Sequence, residues 1–155
     1  MGFPGWPLLS GPGVQLDSEQ QRQLFASVVG LSTQLLQARI TLYSIDPLGT
    51  SDVGFRTFYY QDFLKGVTEP SKVQAGNLAL QVLAAQSGGL ALSSNNDTAA
   101  LLRECIADTQ AYYELSFDPP LDDQRDQYHH LDVRLAKRGL TARARQGYYA
   151  PLSDR

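Results

Sequence analysis

The chain has 155 residues, 13 of them basic and 16 acidic, for a formal charge of −3 and a pI near 5.2. That length fits one ordinary domain, and 43% apolar residues are enough for a packed core, which excludes disorder of the whole chain. The mild acidic balance argues against a nucleic-acid binder that works by neutralising phosphates, and the single cysteine excludes a disulfide framework or a cysteine zinc cluster.

The first 13 residues hold Gly2, Pro4, Gly5, Pro7, Gly11, Pro12 and Gly13, so residues 1–16 read as an irregular lead-in. The first basic residue is Arg22 and no leader pattern is visible. The longest apolar run, around Leu78–Ala85, is interrupted by Gln81 and too short to cross a bilayer. Asp17, with Gln20 three positions on, has the spacing of a capping box and starts a helix reaching about Gln37. Leu24, Phe25, Val28, Val29, Leu35 and Leu36 form its apolar stripe. Ile40–Ile45 is short, β-branched and ended by Asp46-Pro47, as expected of a buried strand. Phe55, Phe58, Tyr59, Tyr60 and Phe63 crowd the connection that follows. Phe55, Tyr59 and Phe63 share a face if the segment is helical, which suits an aromatic lid packed on the sheet.

Leu78, Ala79, Val82 and Leu83 predict a second helix stopped by Gly88-Gly89, and Leu90-Ala91-Leu92 a second short strand. Asn95-Asn96-Asp97 opens a third helix with Leu101, Leu102, Cys105 and Ile106 as its inner face. Asn96-Asp97-Thr98 also fits a glycosylation acceptor, but the residue types suit a helix cap. At that spacing Cys105 reads as a small core hydrophobe rather than a nucleophile served by His129 or His130. Alternating strand and helix over residues 17–110 predicts parallel strands with crossover helices, an α/β fold with a partial doubly wound sheet.

From Ala111 to about residue 150 the period changes to two. Tyr113, Leu115 and Phe117 alternate with Tyr112, Glu114 and Ser116. Leu131, Val133 and Leu135, then Leu140, Ala142 and Ala144, predict an antiparallel hairpin turning at Lys137-Arg138-Gly139. This C-terminal β extension packs on the same domain, and residues 151–155 form a tail. Adjacent His129 and His130 face opposite ways on a strand and do not converge on one metal. Asp118, Asp122, Asp123 and Asp126 lack calcium-loop spacing and read as a solvated acidic turn. Arg143 and Arg145, with Arg134 opposite, read as a solvated basic strand face. No nucleophile elbow, phosphate loop or dinucleotide fingerprint occurs.

Ile40–Pro47 (ITLYSIDP), Leu80–Ser94 (LQVLAAQSGGLALSS), Asn96-Asp97, Ala111–Phe117 (AYYELSF) and Gly147–Ala150 (GYYA) together resemble the von Willebrand factor type A-related proteins of acidobacteria. The resemblance spans nearly the whole chain. It implies a doubly wound fold with ligands approached at the carboxyl ends of the strands, where Trp6, Asp46, Thr50, Asn95 and Asn96 fall. Domains of this type hold a divalent cation through an Asp-x-Ser-x-Ser motif, which this chain lacks. Where a further metal-site Asp would follow the fourth strand, the sequence reads Phe3-Pro4-Gly5-Trp6, and Pro4 has no ligating side chain. The chain therefore resembles the second half of such a domain, with no metal, cofactor or catalytic residues expected. The leading expectation is a non-catalytic protein- or ligand-interaction module, a truncated domain of this type without its metal-ion-dependent adhesion site, that binds a partner or self-associates through an open sheet edge at Ile40–Ile45. The alternatives are a small enzyme with a site around Asp46 and Asn95, and an inactive structural fragment. Relatives look exported, whereas this sequence leaves the location open.

Overall fold

The computed structural model describes residues 16–46, 59–92, 97–118, 126–140 and 142–150. Helix α1 (Ser18–Gln37) begins as the spacing predicts. The Asp17 carboxylate accepts from the Glu19 and Gln20 amides, and the Gln20 side chain accepts from the Asp17 amide. Its end is a Schellman motif: Arg39 takes the left-handed conformation (φ 54°), Arg39 N–H donates to Leu36 O, and Ile40 N–H donates to Leu35 O. Between α1 and the second helix lie strand β1 (Ser44–Ile45) and three short 3₁₀ turns, Tyr59–Phe63, Pro70–Lys72 and Ala75–Leu78. Helix α2 (Leu80–Gln86), strand β2 (Ala91–Leu92), helix α3 (Thr98–Asp108), strand β3 (Tyr128–His130) and strand β4 (Gly147–Tyr149) follow.

The fold is mixed α/β. β1 and β2 pair in parallel, with Ser44 opposite Ala91 and Ile45 opposite Leu92, and α2 lies between them in sequence. β3 and β4 pair antiparallel, Tyr128 opposite Tyr149 and His130 opposite Gly147. The core sits under α1, where Val28 and Val29 pack with Val67, Val73 and Tyr149, flanked by Leu24, Phe25, Leu78 and Tyr128. A smaller cluster joins Phe63 to Ala79 and Val82 of the α2 region. Burying each such aliphatic or aromatic side chain contributes about 1.5–3 kcal/mol, which fixes α1 against the 3₁₀ turns and β4.

Several strand expectations need correction. The predicted strand Ile40–Ile45 is paired only at Ser44–Ile45. Ile40 spends its amide on the end of α1, and Leu42 N–H donates to the Ser87 hydroxyl (2.8 Å) instead of a strand carbonyl. Gly89 permits that approach, because a Cβ there would stand 1.7 Å from the Leu42 carbonyl oxygen. The predicted hairpin keeps its axis, since the β3–β4 register centres between Arg138 and Gly139. Its ladder, however, forms at the base, extends to Leu131 N–H on Gln146 O, and leaves residues 132–140 and 142–145 unassigned to any strand. Ala111–Phe117 joins no ladder among the described residues.

Helix α3 departs from its predicted inner face as well. Leu101 is fully buried, but Leu102 is 49% and Ile106 60% exposed, and Cys105 is half-buried rather than a core residue. No helix among the described residues is long and apolar enough to cross a membrane.

Candidate functional site

Of the residues placed at the strand carboxyl ends, only Asp46 lies within the described structure; Trp6, Thr50, Asn95 and Asn96 fall outside it. Asp46 N–H donates to Leu92 O at 2.8 Å, which holds the backbone of that end in register. Asp97, next to the expected pair of asparagines, is the N-cap of α3, its carboxylate accepting from Ala100 N–H at 3.0 Å. Of the aromatic lid residues, Phe55 lies outside the described residues and Tyr59 opens the first 3₁₀ turn. Phe63 is buried in the α2 cluster, with Tyr60 and Leu64 packed against it. The buried Gln86 side chain secures that turn by donating to Phe63 O at 3.2 Å.

Beside Phe63 is an open cleft of about 280 Å³ whose polar lining includes Asp62, Thr68, Lys72, Gln74 and Asn77. Three of these residues make polar contacts with one another or with a neighbour. Lys72 Nζ pairs with Glu69 at 2.6 Å, and Gln74 N–H donates to Asn77 Oδ1 at 2.8 Å.

The densest polar constellation lies at the opposite end of β1. Tyr43 Oη donates to Asp108 Oδ2 at 2.5 Å, Arg143 donates to the same oxygen, and Arg143 Nε donates to Gly88 O at 2.8 Å. The Arg143 guanidinium first, and then the Tyr43 hydroxyl, hold the Asp108 carboxyl below its usual range. Burial, reinforced by Asp108, pushes the Tyr43 hydroxyl up to about 12. Arg143, expected on a solvated strand face, is thus a clamp joining β1, the end of α3 and the chain before β4. Sequence reasoning missed the cluster because its members share no local period. Cys105 stands one turn before Asp108, and burial, then the Glu104 and Asp108 charges, push its thiol up, away from an activated nucleophile.

The histidines do not converge either. His129 stacks on Tyr148 (5.1 Å between centroids, 21° between planes), whereas His130 is exposed. Tyr128, Tyr149 and Phe25 make edge-on contacts at 5.1 and 6.3 Å, and Tyr149 Oη accepts from Val67 N–H at 3.2 Å. Burial pushes the Tyr128 hydroxyl up to about 12. No group of three or more His, Cys, Asp or Glu is placed to hold a metal among the described residues.

The least satisfied surface is apolar. Tyr112 is 81% exposed, Tyr113 96%, Leu115 72% and Phe117 55%, on a segment tethered at two points. Glu114 pairs with Arg39 at 2.9 Å, and the Phe117 ring rests on buried Tyr148 at 5.4 Å. Comparison with family models, curated proteins and solved structures yields no match for this chain.

Proposed function

We propose that the chain is a non-catalytic protein-interaction module, of the von Willebrand factor A-like kind without a metal-ion-dependent adhesion site, and that Tyr112–Phe117 is its recognition segment. The observation that carries this reading is the solvent exposure of a period-two apolar set that the sequence patterns for burial. Apolar side chains clustered this way on a surface mark places that another molecule covers. Aromatic anchors supply much of the energy of such contacts. The parallel β1–β2 pair and its intervening helix support the wider α/β kinship.

Stability separates a recognition segment from an undocked piece of core. The double variant Tyr113→Ser, Leu115→Ser, melted at low protein concentration, should shift its midpoint by no more than about 2 °C, as exposed positions do. A fall of about 10 °C or more would place these side chains in the core and overturn the reading.

A further inference from the structure

We infer that the occupant of the Tyr112–Phe117 segment is the same segment of a second copy, paired antiparallel about a two-fold axis through Leu115. This rests on the reading of that segment as a recognition surface and goes beyond it by naming the partner and the register. The segment has the alternation of a strand and no ladder partner among the described residues, so its backbone groups and one apolar face are both available.

The residues themselves choose among registers. With Leu115 opposite Leu115, Tyr113 faces Phe117 and Phe117 faces Tyr113, so all the apolar side chains of that face meet one another. On the other face Glu114 meets Ser116 and Tyr112 meets Asp118, and no like charges oppose. Centring on Glu114 sets two carboxylates against each other. Parallel pairing in register does the same for Glu114 and again for Asp118. Centring between Glu114 and Leu115 pairs Glu114 with Leu115 and Tyr113 with Ser116, mixing polar and apolar on both faces. The tethers favour the Leu115 register too. Phe117 already lies on Tyr148, so Tyr113 of the second copy would extend an aromatic stack anchored in the core. The Arg39 pairing offsets the charge of Glu114 on the opposite face.

Cross-linking in the full chain tests the register. Cys105 is the sole cysteine, so Leu115→Cys is made in a Cys105→Ser background. Directly opposed residues in an antiparallel pair have Cα atoms about 4.5–5.5 Å apart, within the span of a disulfide. Leu115→Cys should therefore form a covalent dimer on mild oxidation. Tyr113→Cys should not, because its own counterpart is offset by four residues, about 13 Å. Tyr113→Cys mixed with Phe117→Cys should link. With Cys105 intact, sedimentation over about a hundredfold dilution should show a concentration-dependent dimer that Leu115→Lys reduces to monomer. A dimer that cross-links equally through Tyr113→Cys, or that survives Leu115→Lys, overturns the proposed pairing. A strictly monomeric chain also overturns it. If the Tyr113→Ser, Leu115→Ser melt is then unchanged, the recognition reading stands without self-pairing; a collapsed melt removes both.

Discussion

Helices α1 and α3 carry similar apolar stripes and meet different fates. In α1 most of the stripe is covered: Val28 and Val29 are buried against Val67, Val73 and Tyr149, Leu35 is buried too, and Leu36 at the end of the helix is 41% exposed. In α3 only Leu101 is buried, and Leu102 and Ile106 face outward. Periodicity states which side chains can share a face; burial depends on whether another element arrives to cover it. For α1 the cover comes from the 3₁₀ turns and from β4, the latter distant in sequence and close in space. The side of α3 that carries Leu102 and Ile106 has no such cover among the described residues.

The largest effect expected from this contrast lies within α3 itself. Leu101→Ala should cost about 3–4 kcal/mol by leaving a cavity, while Leu102→Ala one position away should cost under about 0.5 kcal/mol. Denaturant melts of the two variants check this; equal costs would mean that both sides of α3 are covered.

Next come two glycines with the same left-handed backbone and different surroundings. Gly66 (φ 75°) lies against the Tyr128 ring, where a Cβ would come within 2.5 Å, and that ring is held by Tyr149. Gly139 (φ 80°) has nothing within 4 Å of such a Cβ. Gly66→Ala should cost about 2–3 kcal/mol and Gly139→Ala about 1 kcal/mol, the backbone term alone. Thermal unfolding resolves the difference, and its disappearance would show that the aromatic cluster yields.

The Tyr43–Asp108–Arg143 clamp is the main polar attachment of α3, and its contribution is visible in pH. Asp108 titrates below its unfolded value of about 3.9, so its stabilisation is present above that pH and is lost as pH falls through the lowered value. Tyr43 is raised to about 12, so its part is full below pH 10 and is lost as pH rises through 12. Asp108→Asn should cost about 1.5 kcal/mol at neutral pH and flatten the acid limb, and Tyr43→Phe should reduce the alkaline slope. Unchanged pH profiles in both variants would show that the clamp contributes nothing.

The smallest expected effect concerns the caps. Asp17→Ala should cost about 1 kcal/mol, because it removes a reciprocal box, and Asp97→Ala about 0.5 kcal/mol, because one amide depends on it. Circular dichroism melts would reveal the order, and a reversal would tie α3 more firmly to its cap than to its packing.

What could be read from the sequence follows the range of the interaction that sets it. The Asp17–Gln20 box, the extent of α1 and the hairpin axis near Gly139 depend on residues a few positions apart, and their patterns were legible. Strand length was not, because the Leu42 amide is taken by Ser87 and the Ile40 amide by the end of α1, each a decision of three-dimensional geometry. Of the 3₁₀ turns of residues 59–78, only the first carried an apolar spacing, Tyr59 and Phe63, and the other two have none. At the candidate sites, Asp46 was legible as a strand end and Tyr113, Leu115 and Phe117 as an alternating face. That the face stays exposed depends on what fails to cover it, which no local pattern records.

The dependence of α1 on β4 has a consequence for how the protein comes to be made. Tyr149 closes the cluster around Val28 and Val29, yet residues 38–146 are translated between the helix and that strand. A ribosome therefore releases α1 and the Val67 and Val73 part of its cover long before Tyr149, and the closure of so long a loop carries an entropic cost that only the late contacts offset. During that interval the part of the α1 stripe that Tyr149 covers is open to chaperones and proteases alike. A chain stalled before Gly147 would lack Tyr149 and would keep that part of the stripe uncovered.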